Sequence, residues 1–286
     1  MACLLPGLLA AQSATDIAQL KREASTLMKT TEYGHNKTAG QYYSIRGIKM
    51  YCEIYGAGEP LLIIHGNGGS INNFAKQIPY FARKYRVIIA DSRAQGNTAD
   101  KADSLSYEMM ADDYAALLTA LHIDSAHVIG WSDGGINALL LAIRHPEKVK
   151  KLAITGANLQ PDVPAVDAGV VAMINPEWES MKKSKDTSAM ARHQRKLFRL
   201  LVEEPHISHE SLLRIKVPAL VIAGDHDVLT VKHTVEIFEN ISNAYLWILP
   251  NSGHSTPLVY AEEFNKKVDA FFQAPYRKIE GEDRFF

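Results

Sequence analysis

The sequence predicts an α/β fold: a mostly parallel sheet flanked by helices and interrupted by a helical insert. Three observations carry this. Short continuous apolar runs alternate with stretches of helical periodicity, as in parallel strands buried on both faces and joined by crossover helices. That rhythm stops at Gly156 and resumes only at Ala219. A serine flanked by glycines, in Gly130-Trp131-Ser132-Asp133-Gly134, stands where one apolar run ends and a helix begins.

Taken in order, residues 1–40 form an N-terminal extension. Within it residues 14–40 are polar and read as a leader with a turn or more of helix. Residues 41–56 alternate apolar and polar positions around Arg46-Gly47, which predicts a two-stranded hairpin. The run at 60–65 (PLLIIH) is a buried strand ending in Gly66-Asn67-Gly68-Gly69, followed by helical spacing over 74–84. Further strands are expected at 85–90 (YRVIIA), 126–131 (AHVIGW) and 149–155 (VKKLAIT), with helices at 107–122 and 134–145. Residues 158–213 hold no convincing strand; Pro161, Pro164 and Pro176 punctuate helical stretches there. The pattern resumes with a strand at 219–223, a helix at 231–239, a strand at 245–249 and a helix at 259–272. The core is therefore expected at 41–157 and 214–275, with 158–213 as a helical lid.

The whole chain narrows the function. With 286 residues, 47% hydrophobic and 22% charged, it has the balance of a water-soluble enzyme-sized domain. A formal charge of −1 excludes a global field for nucleic acid or anionic membrane. The insert's basic run (Lys182, Lys183, Lys185, Arg192, Arg195, Lys196) reads as a solvated helix face. Two cysteines, Cys3 and Cys52, cannot build a disulfide framework, and neither has a metal-ligand neighbour at useful spacing. Residues 4–11 (LLPGLLAA) resemble the end of a secretory signal peptide cleaved near Ala11 or Ser13, without its basic start. A periplasmic or secreted protein and a cytoplasmic one with a mildly apolar N-terminus are the two readings. No other stretch approaches the ~20 apolar residues of a membrane span.

The chemistry centres on Ser132. A nucleophilic serine on a sharp strand-to-helix turn needs small residues two before and two after it, and Gly130 and Gly134 supply them. Serine reacts only when a base takes its proton, and among eleven histidines His254 is favoured. It lies in Asn251-Ser252-Gly253-His254, a loop directly after the last predicted strand. A carboxylate must hold the imidazole, and Gly224-Asp225-His226-Asp227 offers two. Asp227 is favoured as the third member, with Asp225 steadying the turn. The order Ser132, Asp227, His254 is the one this chemistry takes on an α/β scaffold. The oxyanion donors are expected to be the backbone N–H of Asp133 and that of Asn67 in the Gly-rich loop. Trp131, Gly68 and Trp178 are candidate pocket residues.

With these residues in order, the chain resembles the α/β-hydrolase superfamily over 41–273. Asp91-Ser92-Arg93-Ala94-Gln95-Gly96 resembles its D-x-R-G-x-G loop, with Ala94 in place of the glycine. Within the superfamily, Gly130–Ile136, Gly156-Ala157-Asn158 and Glu263-Phe264-Asn265-Lys266 are similar to the valacyclovir hydrolase (biphenyl hydrolase-like) group. That resemblance implies cleavage of α-amino acid esters, with Asp133 binding the substrate ammonium. The other reading of Asp133 is a helix N-cap. The insert is shorter than in that group and does not align through its middle.

The expected function is hydrolysis of a small-molecule carboxylic ester by Ser-His-Asp acyl transfer, needing no cofactor or metal. Carbon–carbon bond, lactone or thioester hydrolysis uses the same triad, and a non-catalytic hydrolase-like binding module is the alternative of a different class. Oligomeric state is not set by the sequence.

Overall fold

Runs of Val, Ile and Leu with no polar interruption can only be satisfied by cover on both faces, and that requirement organises the chain. The structure, a computed structural model, describes residues 17–286. The signal-like run at 4–11 and Cys3 lie outside the described residues, and Cys52 is a buried free thiol. Eight strands form one sheet: β1 (Gly40–Ile45), β2 (Ile48–Tyr55), β3 (Glu59–Ile64), β4 (Tyr85–Ala90), β5 (Ala126–Trp131), β6 (Val149–Thr155), β7 (Ala219–Gly224) and β8 (Ala244–Leu249). Their order is β1-β2-β4-β3-β5-β6-β7-β8. The two pairings of β2 are antiparallel, and every pairing from β4 to β8 is parallel. Every residue of β5 and β7 is buried.

The helices are α1 (Ile17–Thr30), α2 (Ile78–Phe81), α3 (Tyr107–Ala120), α4 (Asp133–Arg144), α5 (Ala168–Lys183), α6 (Ala189–Glu203), α7 (His209–Leu212), α8 (Val231–Glu239), α9 (Thr256–Val259) and α10 (Ala261–Gln273). They divide between the two faces as strand alternation dictates. Leu62 and Ile64 of β3 belong to a core built with Tyr107, Tyr114 and Leu117 of α3, Leu139 of α4 and Ile237 of α8. Leu61 and Ile63 belong to the opposite core, with Phe81 of α2 and Phe264, Val268 and Phe272 of α10.

The strands at 85–90, 126–131 and 149–155 have the bounds the sequence predicts. Two helices differ from expectation. Over 74–84 the chain forms a 3₁₀ turn at Ile71–Phe74 and then α2, in whose first turn Pro79 lies. A proline lacks the N–H that a helix interior requires, so no helix runs through it from Phe74. Near the C-terminus, Tyr260 leaves helical geometry (φ −108°, ψ 40°) and separates α9 from α10.

The stretch read as a leader is built into the fold. Ala24 of α1 is buried, and Met28 packs on the second core and accepts a bond from Asn72 through its carbonyl. Behind α1, the buried carboxylate of Glu53 accepts the N–H of Gly34 and of Asn36 (2.9 Å each) and the hydroxyls of Tyr51 (2.8 Å) and Tyr55 (2.7 Å).

Between β6 and β7 the insert forms α5, α6 and α7. Its two stems are zipped together where Ile207 N–H donates to Leu159 O at 2.8 Å. Leu159 N–H in turn donates to the buried imidazole of His233 on α8 at 3.0 Å. The stem also pairs with the loop after β7: Asp167 N–H reaches Val228 O and Thr230 N–H reaches Ala165 O, both at 2.9 Å. Among the described residues no helix is long and apolar enough to cross a membrane.

Replacing Glu53 by Ala strands four donors, each of which costs on the order of 1 kcal/mol or more when left unmade. Glu53→Ala should therefore lower the urea midpoint by an amount equal to about 3 kcal/mol or more at unchanged m. An unaltered midpoint would show that the N-terminal segment is not held through this carboxylate.

Candidate active site

The loops at the C-terminal ends of β3, β5, β6, β7 and β8 converge on Ser132, as expected at the carboxyl edge of a parallel sheet. Ser132 sits between β5 and α4 at φ 58° and ψ −125°, a conformation an L-residue rarely adopts. Its N–H is fixed to Thr155 O of β6 at 2.9 Å. The neighbouring glycines are required by space. A Cβ on Gly130 would lie 2.2 Å from Gly134 O, and one on Gly134 would lie 2.0 Å from Ile64 O. Strand and helix thus cross almost in backbone contact, and the turn lifts Ser132 above the sheet.

His254 follows β8, and its Nε2 lies 2.9 Å from Ser132 Oγ. On the other side its Nδ1 lies 2.7 Å from Asp227 Oδ1, and the Asp227 side chain is fully buried. A carboxylate can only accept, so Nδ1 carries the proton and Nε2 is free to accept the Ser132 hydroxyl. Asp225 plays the other part: its Oδ1 accepts Ser252 N–H at 3.0 Å, tying the β7 loop to the loop that bears His254. The hydrogen bond from the His226 ring holds the Asp225 carboxyl down at about 2, helped by the backbone N–H groups of Asn251 and Ser252. Trp131 braces the same loop by donating its indole N–H to His254 O at 2.8 Å, while its ring stands edge-on to Phe74.

Two further features escaped sequence reasoning. Gly156, at φ 63°, leaves the space His254 occupies; a Cβ there would come within 2.7 Å of the imidazole Cε1. Its signal in the sequence was a glycine directly after the β6 run, quoted above only for its family likeness. His65 is buried and bridges two loops, with Nδ1–H donating to Gly66 O (2.7 Å) and Nε2 accepting Ser92 N–H (2.9 Å). Burial pushes its pKa down and favours the neutral ring this bonding needs.

A cavity of about 450 Å³ opens over Ser132. Its floor carries Gly66, Asn67, Gly68, Trp131, Asp133 and His254; its walls include Asn73, Asn158, Val166, Val228 and Leu229, with Val170, Ile174 and Leu201 from α5 and α6. No Lys or Arg lines it among the described residues. Trp178, expected in this wall, instead stacks on Phe198 between α5 and α6 with ring centroids 6.0 Å apart. The two aromatic faces bury apolar area against each other across the neighbouring helices. A second cavity, of about 900 Å³, lies by β8, α10 and the C-terminal segment and shares no residue with the first. Among the described residues no group of three or more His, Cys, Asp or Glu is placed to hold a metal ion.

Asp133 is the first residue of α4, with Ser132 in the N-cap position, and no side-chain bond caps the helix. The capping role weighed from the sequence is thus not the one observed. The Asp133 carboxyl is buried, and its Oδ2 has no hydrogen-bond partner. Burial pushes its pKa up to about 6, against the opposing pull of the Tyr107 hydroxyl and the Asn67 amide beside it. Asn67 also donates from Nδ2 to Leu197 O of α6 at 3.2 Å.

A strained serine hydrogen-bonded to a histidine that is itself held by a buried carboxylate, on this sheet, defines the class: an α/β-fold hydrolase. The comparisons give the family. The sequence profile of the alpha/beta hydrolase fold matches residues 59–209, and the chain belongs to that family. It is 28% identical over 250 residues to the human serine hydrolase BPHL, covering 80% of this chain and 85% of that protein. It is 29% identical over 258 residues to the 2-hydroxymuconate semialdehyde hydrolase of Pseudomonas sp. strain CF600, covering 79% of this chain and 90% of the relative. Among solved structures it is similar to Est816, described as an N-acyl homoserine lactone degrading enzyme. The TM-score is 0.68 and the identity 26%, over 81% of this chain and all of that one.

An acid moved from its ordinary 3.8 to about 6 on folding binds its proton more tightly in the folded state. Between those values stability falls as pH rises, by about 3 kcal/mol in full, and above about pH 6 the whole penalty is present. Asp133→Asn should therefore stabilise the protein by a few kcal/mol more at pH 8 than at pH 4, read from urea midpoints. Equal increments at the two pH values would show that Asp133 ionises without penalty.

Proposed function

We propose that the protein hydrolyses carboxylic esters by acyl transfer through Ser132, with α-amino acid esters as the favoured substrates. The observation that carries this reading is the hydrogen-bonded series Ser132–His254–Asp227 opening onto a 450 Å³ cavity. His254 Nε2 takes the hydroxyl proton as Ser132 Oγ attacks the ester carbonyl. The developing oxyanion is held by the backbone N–H of Asp133, at the positive end of α4, and by that of Asn67. His254 then protonates the leaving alcohol, and in the second half-reaction it activates the water that frees the acyl group. Asp227 holds the imidazole tautomer and the imidazolium. The route uses side chains and backbone amides alone and calls for no cofactor.

The pocket supports the amino acid part. Among the described lining residues the one carboxylate is Asp133, and an ammonium on the acyl α-carbon would offset the cost of burying its charge. Without Lys or Arg among the described lining residues, the site offers no counter-charge to a carboxylate-bearing substrate. That favours esters over the reaction in the name of the semialdehyde hydrolase relative. Trp131 and Gly68 would border the acyl group. Residues 158–213 are read as a lid, whose Val170, Ile174 and Leu201 would meet the leaving alcohol.

The test compares a free α-amino acid aryl ester, its N-acetyl twin and a butyrate ester. Ser132→Ala should lose turnover on the order of 10⁴-fold or more, together with labelling by a fluorophosphonate. Wild type should prefer the free amine by about tenfold or more (about 1.4 kcal/mol). Asp133→Asn should erase that preference, and in wild type it should fade below about pH 6 as the carboxyl protonates. Equal or faster turnover of the N-acetyl and butyrate esters would remove Asp133 from substrate recognition. An unlabelled Ser132 in folded protein would remove the enzyme mechanism itself.

A further inference from the structure

One member of the insert's basic run breaks its pattern. Lys182, Lys183, Lys185 and Arg192 are exposed, whereas Lys196 is 9% exposed. An ammonium taken out of water needs its donors and its charge satisfied. Lys196 Nζ donates to Ala102 O at 2.6 Å and to Asp100 O at 3.3 Å, and lies 3.5 Å from Asp100 Oδ2. Asp100 is itself buried, and its other oxygen is 3.7 Å from Arg93 Nη1. Arg93 grips Asp113 of α3 with two bonds, Nε to Oδ2 at 2.6 Å and Nη2 to Oδ1 at 2.9 Å. Charges therefore alternate from the core to the insert: Asp113, Arg93, Asp100, Lys196. The next residue in α6 is Leu197, and its carbonyl accepts the side-chain amide of Asn67.

We infer that Lys196 is a positioning residue for the reaction: by fixing α6 to the core it places Leu197 O where the Asn67 amide bonds to it, and so holds the oxyanion loop over Ser132. The inference rests on the reading of Asn67 as an oxyanion donor. Lysine suits the task because its donors meet two carbonyls while its charge stands beside the Asp100 carboxylate. A neutral side chain of the same length would leave Asp100 and Arg93 paired but free α6 to shift. Misplacing one oxyanion donor acts on the transition state more than on bound substrate, so the loss belongs in kcat.

The test is a double-mutant cycle with Lys196→Met and Asn67→Ala, read as kcat and KM for the best ester and as fluorophosphonate labelling rate. Lys196→Met should lower kcat and the labelling rate about tenfold with KM changed less than about threefold. In the Asn67→Ala background the same substitution should change kcat less than about twofold, because the link it acts through is gone. Equal losses in both backgrounds overturn the inference, as does a lowered melting temperature with kcat unchanged. If Lys196→Met does not fold, Asn67→Ala decides alone: unchanged kcat overturns the coupling, and a fall about tenfold supports it. An inert wild type, unlabelled at Ser132, would instead sink the proposed function and is distinguishable from all of these.

Discussion

The backbone at Ser132 is the constraint on which the rest of the molecule turns. A residue at φ 58° is unstable on its own account and persists only where its surroundings allow nothing else. Here the surroundings are the near-contact of β5, α4 and the end of β3, where neither Gly130 nor Gly134 has room for a methyl group. The Thr155 carbonyl on β6 then fixes the Ser132 amide from the opposite side. Buried strands and two apolar faces make that crossing rigid, and every other group of the site is placed relative to it.

The second requirement is that three loops, far apart in sequence, agree to within a hydrogen bond. Asp225 joins the β7 loop to the β8 loop, Trp131 joins β5 to the His254 loop, and His65 joins the β3 and β4 loops. Each bond is separate from the Ser132–His254–Asp227 series yet holds one of its supports. The insert contributes as well, since its stem pairs with the backbone on either side of Leu229, directly beyond Asp227. The site is thus preorganised from outside by ordinary backbone and side-chain bonds.

What was legible in the sequence follows from where the information lies. Strands such as 126–131 and 149–155 are readable because burial on both faces forces an uninterrupted apolar run. Ser132 is readable because its neighbours must be glycine, and His254 and Asp227 because each stands just past a strand. The breaks at Pro79 and Tyr260 were missed, since periodicity alone overrides a local stop signal when the flanks look helical. Tyr107 beside Asp133, the space at Gly156 and the burial of Lys196 depend on partners 26, 98 and 96 residues away, taken as differences of the residue numbers. A basic run looks solvated until the carboxylate that receives one of its members is known.

The pairing of Ile207 with Leu159 closes the insert at its base. Everything between those two residues leaves and re-enters the sheet domain at one spot, so the intervening segment is a cassette. It can be exchanged for another of different length without moving β6 or β7, because loop closure costs little more for a longer loop. Pro161, Val166, Val170, Ile174 and Leu201 of the cavity lining travel with it, while Ser132, His254 and Asp227 stay behind. Selection can therefore revise what enters the site and what leaves it wherever the replacement keeps the stem pairing and the bond from Asn67 to α6.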